Sequence, residues 1–261
     1  MTENSLHIKL NGPVATVTLT RPEVHNALDE ILIGNIAQAF QKLAVAEAVR
    51  VVVLEAEGKN FCAGADVNWM KRAAGLSRED NQRDAMQLAI MVDAIDRCPK
   101  PVIAVVQGAA LGGGVGLVAA ADMVIAAEDA SFALTEVRLG LEPSVIGPVT
   151  IRAMGERACR RYFLTGERFD AREACRLGLV HAVVAADKLA EARDHLVEAC
   201  LKGAPGAIAQ AKDLIRVVAD TEAGPDLMRL TAHRIAERRA TDEGHEGLMA
   251  FLEKRKPGWA P

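Results

Sequence analysis

Residues 110–122 read ALGGGVGLVAAAD: three consecutive glycines, a valine, a fourth glycine, then small apolar residues. Each glycine costs roughly 0.5–1 kcal/mol against alanine inside a regular element, so this density needs a compensating role. Upstream, VIAVVQG (102–108) is a short β-branched run of the kind buried in a sheet, and the residues downstream suit a helix. The glycines therefore occupy a strand-to-helix turn. There the first N–H groups of the helix lack intrahelical partners and lie at the positive end of its dipole, where they stabilise a developing negative charge. Tight packing of the helix on the strand is the competing explanation.

Known glycine motifs do not account for the turn. Gly112, Gly113, Gly114 and Gly116 lack the G-x-G-x-x-G spacing of a dinucleotide fingerprint, and there is no Walker loop. Neither a G-x-S-x-G nucleophile elbow nor an H-E-x-x-H zinc motif occurs anywhere in the chain. What remains as chemistry is the loop's own backbone.

Two further segments bear on it. NFCAGADVNWM (60–70) again reads as a strand, a small-residue turn and a helix, so two turns of similar make could present backbone donors to one ligand. SFALTEVRLGLEPSVIG (131–147) sets Glu136 among apolar neighbours, where partial burial would raise its pKa and suit it to proton transfer; a surface glutamate paired with Arg138 is the alternative.

Around these segments strands and helices alternate. Val14 to Leu19 (VATVTL) has strand periodicity, and VVVLEA (51–56) is a second buried-strand run. Ile33, Ile36, Ala37, Phe40 and Leu43 recur at helical spacing after Asn26, which reads as the N-cap; another helix is expected from about Glu79 to Arg97, ending before Pro99. The pattern predicts an α/β domain. From about Glu156 the chain becomes mainly helical, with breaks at Gly166, Gly178, Pro205, Gly224 and Gly244, and LGLVHAVV reads as a late strand region in which His181 is an ordinary residue. The expected division is an α/β core over 1–200 and a C-terminal helical subdomain over 201–261.

Composition narrows the function classes. The 261 residues are half hydrophobic, enough for a sizeable core, and 31 basic against 35 acidic residues give a net charge of -4. That balance, without a basic aromatic patch, argues against nucleic acid or an anionic membrane as the main partner. Cys62, Cys98, Cys159, Cys175 and Cys200 are scattered and suggest neither a zinc site nor a disulfide framework, and the six histidines show no ligand spacing. The opening MTENSLHIKL lacks the pattern of a signal peptide and no apolar run is long enough to span a bilayer, so a cytoplasmic protein is expected.

The stretches RPEVHNAL (21–28), NFCAGAD (60–66), KPVIAVVQGAALGGGVGLVAAAD (100–122), FALTEVRLGL (132–141), LTGERFDAREACRLGLV (164–180) and FLEKRKPGW (251–259) together resemble the crotonase, or enoyl-CoA hydratase/isomerase, superfamily. The resemblance runs in order along nearly the whole chain. It implies a spiral of ββα units with a C-terminal helical subdomain, a homotrimer or homohexamer, and an acyl-CoA thioester whose carbonyl oxygen is held by the N–H groups of Ala65 and Gly113. It also implies that Val24, Ala27, Ala63, Asp66, Val67 and Asn68 border the CoA arm, and that Phe251 and Lys254 help cover CoA, on a neighbouring subunit. Neither a metal nor a redox cofactor is implied; coenzyme A is part of the substrate.

One departure complicates the reaction. Hydratases of the family commonly carry two glutamates, and the resemblance places the second at Glu136 but the first at Gly116, which has no side chain. Three readings follow: a Δ3-Δ2 enoyl-CoA isomerase shuttling a proton with one glutamate; a hydratase using Glu136 alone, with Gly116 leaving room for a branched acyl group; or a hydratase in which Glu142 supplies the missing carboxylate. A catalytically weak acyl-CoA-binding member is the non-enzymatic alternative. GADVNWM (64–70), SFALTEVRLGL (131–141), PSVIGP (143–148) and GERACRRYFLTGERFDA (155–171) are similar to bacterial methylglutaconyl-CoA hydratases, which favours hydration of a branched 2-enoyl-CoA such as 3-methylglutaconyl-CoA. The free carboxylate of that substrate calls for a cation, and Lys71, Arg72, Arg138 and Arg152 are the candidates.

Overall fold

A computed structural model of the chain describes residues 5–260; the first residues read for a leader, 1–4, lie outside them. The chain opens with an antiparallel hairpin of β1 (Leu6–Asn11) and β2 (Val14–Leu19). There follow α1 (Glu30–Val45), β3 (Val51–Ala56), α2 (Val67–Ala73), α3 (Arg78–Asp96), β4 (Val102–Val106), β5 (Ala109–Leu111) and α4 (Gly113–Ala120). Next come β6 (Met123–Ala127), β7 (Ser131–Ala133), α5 (Gly147–Met154), α6 (Glu156–Thr165), β8 (Phe169–Asp170), α7 (Ala171–Arg176) and β9 (Ala182–Val184). Four helices close the described chain: α8 (Leu189–Leu201), α9 (Pro205–Ala219), α10 (Pro225–Arg239) and α11 (Asp242–Leu252).

The large sheet runs β1-β2-β3-β4-β6-β9, parallel from β2 onward, and a small sheet runs β5-β7-β8. Bridges between Leu28 and Ala65 and between Cys62 and Ala110 extend the small layer. Each turn of chain thus gives one strand to the large sheet, a short extended segment to the small layer, and then a helix. Repetition of that unit is the ββα spiral expected above.

Burial on both faces explains why the central strands read as unbroken apolar runs. Val52 and Leu54 of β3 face the main core with Ile33, Ile36 and Phe40 of α1, whereas Val51 and Val53 face a second cluster with Leu189 and Leu196 of α8. The residues expected on the inner face of α1 are all buried there. Its N-cap is Asp29, whose side chain accepts from Leu32 N–H at 2.8 Å, and not Asn26. Asn26 is fully buried with φ 54°, and its amide donates to the carbonyls of Glu57 and Asn60 at 2.8 and 3.0 Å while its oxygen accepts from Arg21 N–H. It fastens the turn after β2 to the turn after β3.

Near the C-terminus one expected break moves. Gly244 lies within α11, and the interruption falls at Ala240 and Thr241, the hydroxyl of Thr241 capping Gly244 N–H at 3.0 Å. Glycine is required there because a Cβ would stand 2.2 Å from the Arg238 carbonyl oxygen. Among the described residues no helix is long and apolar enough to cross a membrane.

Candidate active site

The glycine turn is built by strand pairing. Cys62 N–H donates to Ala109 O at 3.0 Å and Leu111 N–H to Cys62 O at 2.9 Å, so the chain entering α4 runs beside the Cys62–Ala65 segment. Gly64 (φ 90°) then turns so close to the neighbouring loop that a Cβ would lie 3.0 Å from Leu111 O. Gly112 has φ 47° and ψ -117°, a conformation only glycine adopts freely, and launches α4 at Gly113. Two turns, each followed by a helix, meet at this point.

Their N–H groups differ in use. Leu28 occupies the ladder on both sides of Ala65, its N–H donating to Gly64 O at 2.7 Å and its carbonyl accepting from Asp66 N–H at 2.8 Å. Ala65 N–H itself has no hydrogen-bond partner among the described residues, and neither does Gly113 N–H, the first of α4. Both remain available to an oxygen of another molecule.

Glu136 begins a short 3-10 turn, Glu136–Leu139, directly after β7. A Cβ on Gly112 would fall 3.0 Å from Glu136 Oε1, which places the carboxyl beside the start of α4. Its Oε2 is buried without a hydrogen-bond partner. Burial pushes the Glu136 carboxyl above the usual carboxylate range, a backbone hydrogen bond opposing only part of that effect. An unpaired buried carboxyl oxygen at the N-terminus of a helix is costly for the fold and useful to a reaction that moves a proton.

Gly116 has a different neighbour. A Cβ there would stand 2.3 Å from Cγ2 and 2.9 Å from Cβ of Ile146, so the space beside Gly116 is filled by an aliphatic side chain. The structure overturns the expectation that Gly116 leaves room for a branched acyl group. Glu142 is exposed, and its carboxylate accepts from the Ser144 hydroxyl at 2.7 Å within its own turn.

Asp66 serves the loop from within. It is 6% exposed; Oδ1 caps α2 by accepting from Asn68 and Trp69 N–H at 2.8 and 3.3 Å, and Oδ2 takes Arg21 at 3.2 Å. Burial alone would raise its pKa, but those N–H groups and the guanidinium hold it below the usual range. Arg21, which sequence reasoning passed over, also pairs with Asp29 at 3.0 Å and donates to Ala27 O at 2.7 Å. One guanidinium thereby ties the turn bearing Val24 and Ala27 to the loop bearing Ala63, Asp66, Val67 and Asn68. Its signal in the sequence was an arginine opening RPEVHNAL, flanked later by two aspartates that precede helices.

Val24, Ala65, Val67 and Asn68 are exposed around this junction, while Ala63 is half-buried and Ala27 buried. Phe251 and Lys254 are not brought to it within the chain. Helix α11 packs on α9 and α10, and the tail beyond it is tied through Trp259 O to Arg50, ahead of β3, the end of that strand away from the Gly64 turn. Of the cations considered for a substrate carboxylate, Arg72 is paired with Glu30 at 2.6 Å and Arg152 with Asp96 at 2.7 Å. Arg138 reaches only the Thr165 carbonyl, at 3.4 Å, and Lys71 is exposed without an ion pair among the described residues.

Fold and site define a class: a ββα-spiral protein in which two adjacent turns offer spare backbone donors next to one buried carboxyl. The chain belongs to the enoyl-CoA hydratase/isomerase family, whose model matches residues 9–261. It superposes on the solved structure of an enoyl-CoA hydratase from Shewanella pealeana with a TM-score of 0.95 at 44% identity, covering 98% of this chain and 96% of that one. The enoyl-CoA hydratase of Mycobacterium smegmatis gives 0.92 at 36% identity, over 98% and 99% of the two chains. A carnitinyl-CoA dehydratase from Proteus mirabilis is 34% identical over 260 residues, 98% of each chain. The fold is therefore the crotonase fold, and members of this enzyme family act on acyl-CoA substrates and commonly form oligomers.

Proposed function

We propose that this protein adds water across the 2,3 double bond of a 2-enoyl-CoA, with a branched thioester such as 3-methylglutaconyl-CoA as its substrate. The observation that carries the proposal is the Glu136 carboxyl, buried and unpaired at Oε2, beside the turn from which Gly113 N–H projects unused. In this reading the N–H groups of Ala65 and Gly113 hold the thioester oxygen and make the β-carbon electrophilic. Ionised Glu136 accepts a proton from water as the hydroxyl bonds to the β-carbon, and the double-bond electrons move into the thioester enolate. The enolate collapses as Glu136 returns that proton to the α-carbon, giving a 3-hydroxyacyl-CoA. Neither metal nor redox cofactor takes part.

Hydration is supported by relatives named for adding or removing water. The branched glutaconyl substrate is supported by the resemblance of segments 64–70, 131–141, 143–148 and 155–171, with Lys71 or Arg138 the cation for its carboxylate. A second reading draws on Ile146, which occupies the space where a second carboxylate would project. With one glutamate the site would act as an isomerase, moving a proton from C2 to C4 of a 3-enoyl-CoA. We further propose that residues 201–261 serve trimer or hexamer formation in a cytoplasmic protein, with Phe251 and Lys254 reaching a neighbour's CoA.

Mass-resolved turnover of 3-methylglutaconyl-CoA, crotonyl-CoA and a 3-enoyl-CoA separates these readings. A product one water heavier from the first substrate, with weak turnover of crotonyl-CoA, is the expected result. Conversion of the 3-enoyl-CoA to an isobaric product with no hydration of any substrate makes the protein an isomerase. Binding of all three thioesters with no conversion makes it a binding member.

A further inference from the structure

Helix α4 is gripped from two sides. On one, Gly114 lies so near the neighbouring strand that a Cβ would stand 2.5 Å from Cys62 O; on the other, Gly116 receives Ile146. Gly112 and Gly116 are joined by an N–H···O bond of 3.3 Å, so the residues seated on them, Glu136 and Ile146, lie about one helical turn apart, ~5.4 Å along the axis. Ile146 is 2% exposed, and its carbonyl accepts from both the N–H of Thr150 at 3.0 Å and the hydroxyl of Thr150 at 2.8 Å, which fixes its backbone ahead of α5. A β-branched side chain on a fixed backbone, pressed against a helix that cannot retreat, is a rigid surface.

We propose that Ile146 is a specificity-determining residue, forming the aliphatic wall that sets the depth of the acyl site beyond Glu136. The proposal rests on the acyl-CoA reading given above. In it, the wall selects acyl chains by length and shape. Because Gly116 carries no side chain to fill a gap, shortening Ile146 deepens the site directly. One methylene in an apolar pocket discriminates by about 10–200-fold, which sets the expected scale.

The test compares wild type, Ile146→Val and Ile146→Ala. Dissociation constants for butyryl-CoA and octanoyl-CoA are measured by calorimetry, alongside kcat/KM for crotonyl-CoA and 2-octenoyl-CoA. The expected result is a shift of preference toward the longer chain of about tenfold or more in Ile146→Ala, with a smaller shift in the same direction in Ile146→Val, which loses only one methyl and keeps the β-branch. A preference unchanged within about threefold in both variants, or an equal loss for both chain lengths, overturns the proposal. Wild type turning over crotonyl-CoA with an unchanged preference in the variants sinks the wall alone. Wild type binding neither thioester overturns the acyl-CoA reading together with the wall.

Discussion

Glu136 is the residue on which the chemistry turns, and its environment makes two opposed demands. Burial holds its carboxyl above the usual range, which favours the protonated acid, while the proposed first step needs the carboxylate. The acid limb of kcat/KM is therefore expected at higher pH than for an ordinary glutamate. Replacing Glu136 by Gln should lower turnover by about 10²–10⁴-fold, measured at saturating thioester. The same substitution should not cost stability. A carboxyl whose folded pKa is raised stabilises the fold only while protonated, and that contribution is lost as pH rises through the folded value. Thermal melting should accordingly show Glu136→Gln at least as stable as wild type at neutral pH, the difference shrinking as pH falls. Near-normal turnover of the variant would remove Glu136 from the reaction.

At the scale of elements, the site depends on the clamp between the turn after β2 and the loop before α2. Arg21 and Asp66 are 14% and 9% exposed at their side chains, so removing one partner leaves the other poorly solvated. Arg21→Ala is expected to cost about 3 kcal/mol in chemical denaturation and to weaken acyl-CoA binding, since both segments shift. Full stability in that variant would mean water replaces the guanidinium. Much of this element level was legible in the sequence: β2, β3, β4 and the inner face of α1 follow from periodicity, and the glycine turn from its composition. The rest depended on contacts distant in sequence. Asn26 and Asp29 are both good caps, and only the buried carbonyls of Glu57 and Asn60 explain why Asn26 turns inward. Likewise Gly116 looks like vacant space until Ile146, 30 residues on, is found filling it. Strand β1 was passed over although LHIKLN (6–11) alternates apolar and polar residues strictly at strand period.

For the whole molecule, the C-terminal layer is conspicuous. Helices α8, α9 and α10 contain no buried residue in the isolated chain, and Ile215, Met228 and Leu252 are more than two-thirds exposed with Phe251 at 81%. Apolar surface on that scale is expected to be covered by other copies. Light scattering should give three or six times the 27.8 kDa chain mass, and Phe251→Asp with Leu252→Asp should lower it; an unchanged mass would place the interface elsewhere. This layer is held to the spiral partly by one side chain. Arg50 donates to the carbonyls of Leu201, Gly203 and Trp259, at 2.8, 2.7 and 2.6 Å. Arg50 and Trp259 are 209 residues apart, so at about 5–20 residues per second a ribosome exposes the arginine for ~10–40 s before its last acceptor is made. On the nascent chain the spiral strands are all translated before this clasp can shut. The clasp is thus among the last contacts the described chain can complete, made only after helices α8, α9, α10 and α11 have been synthesised.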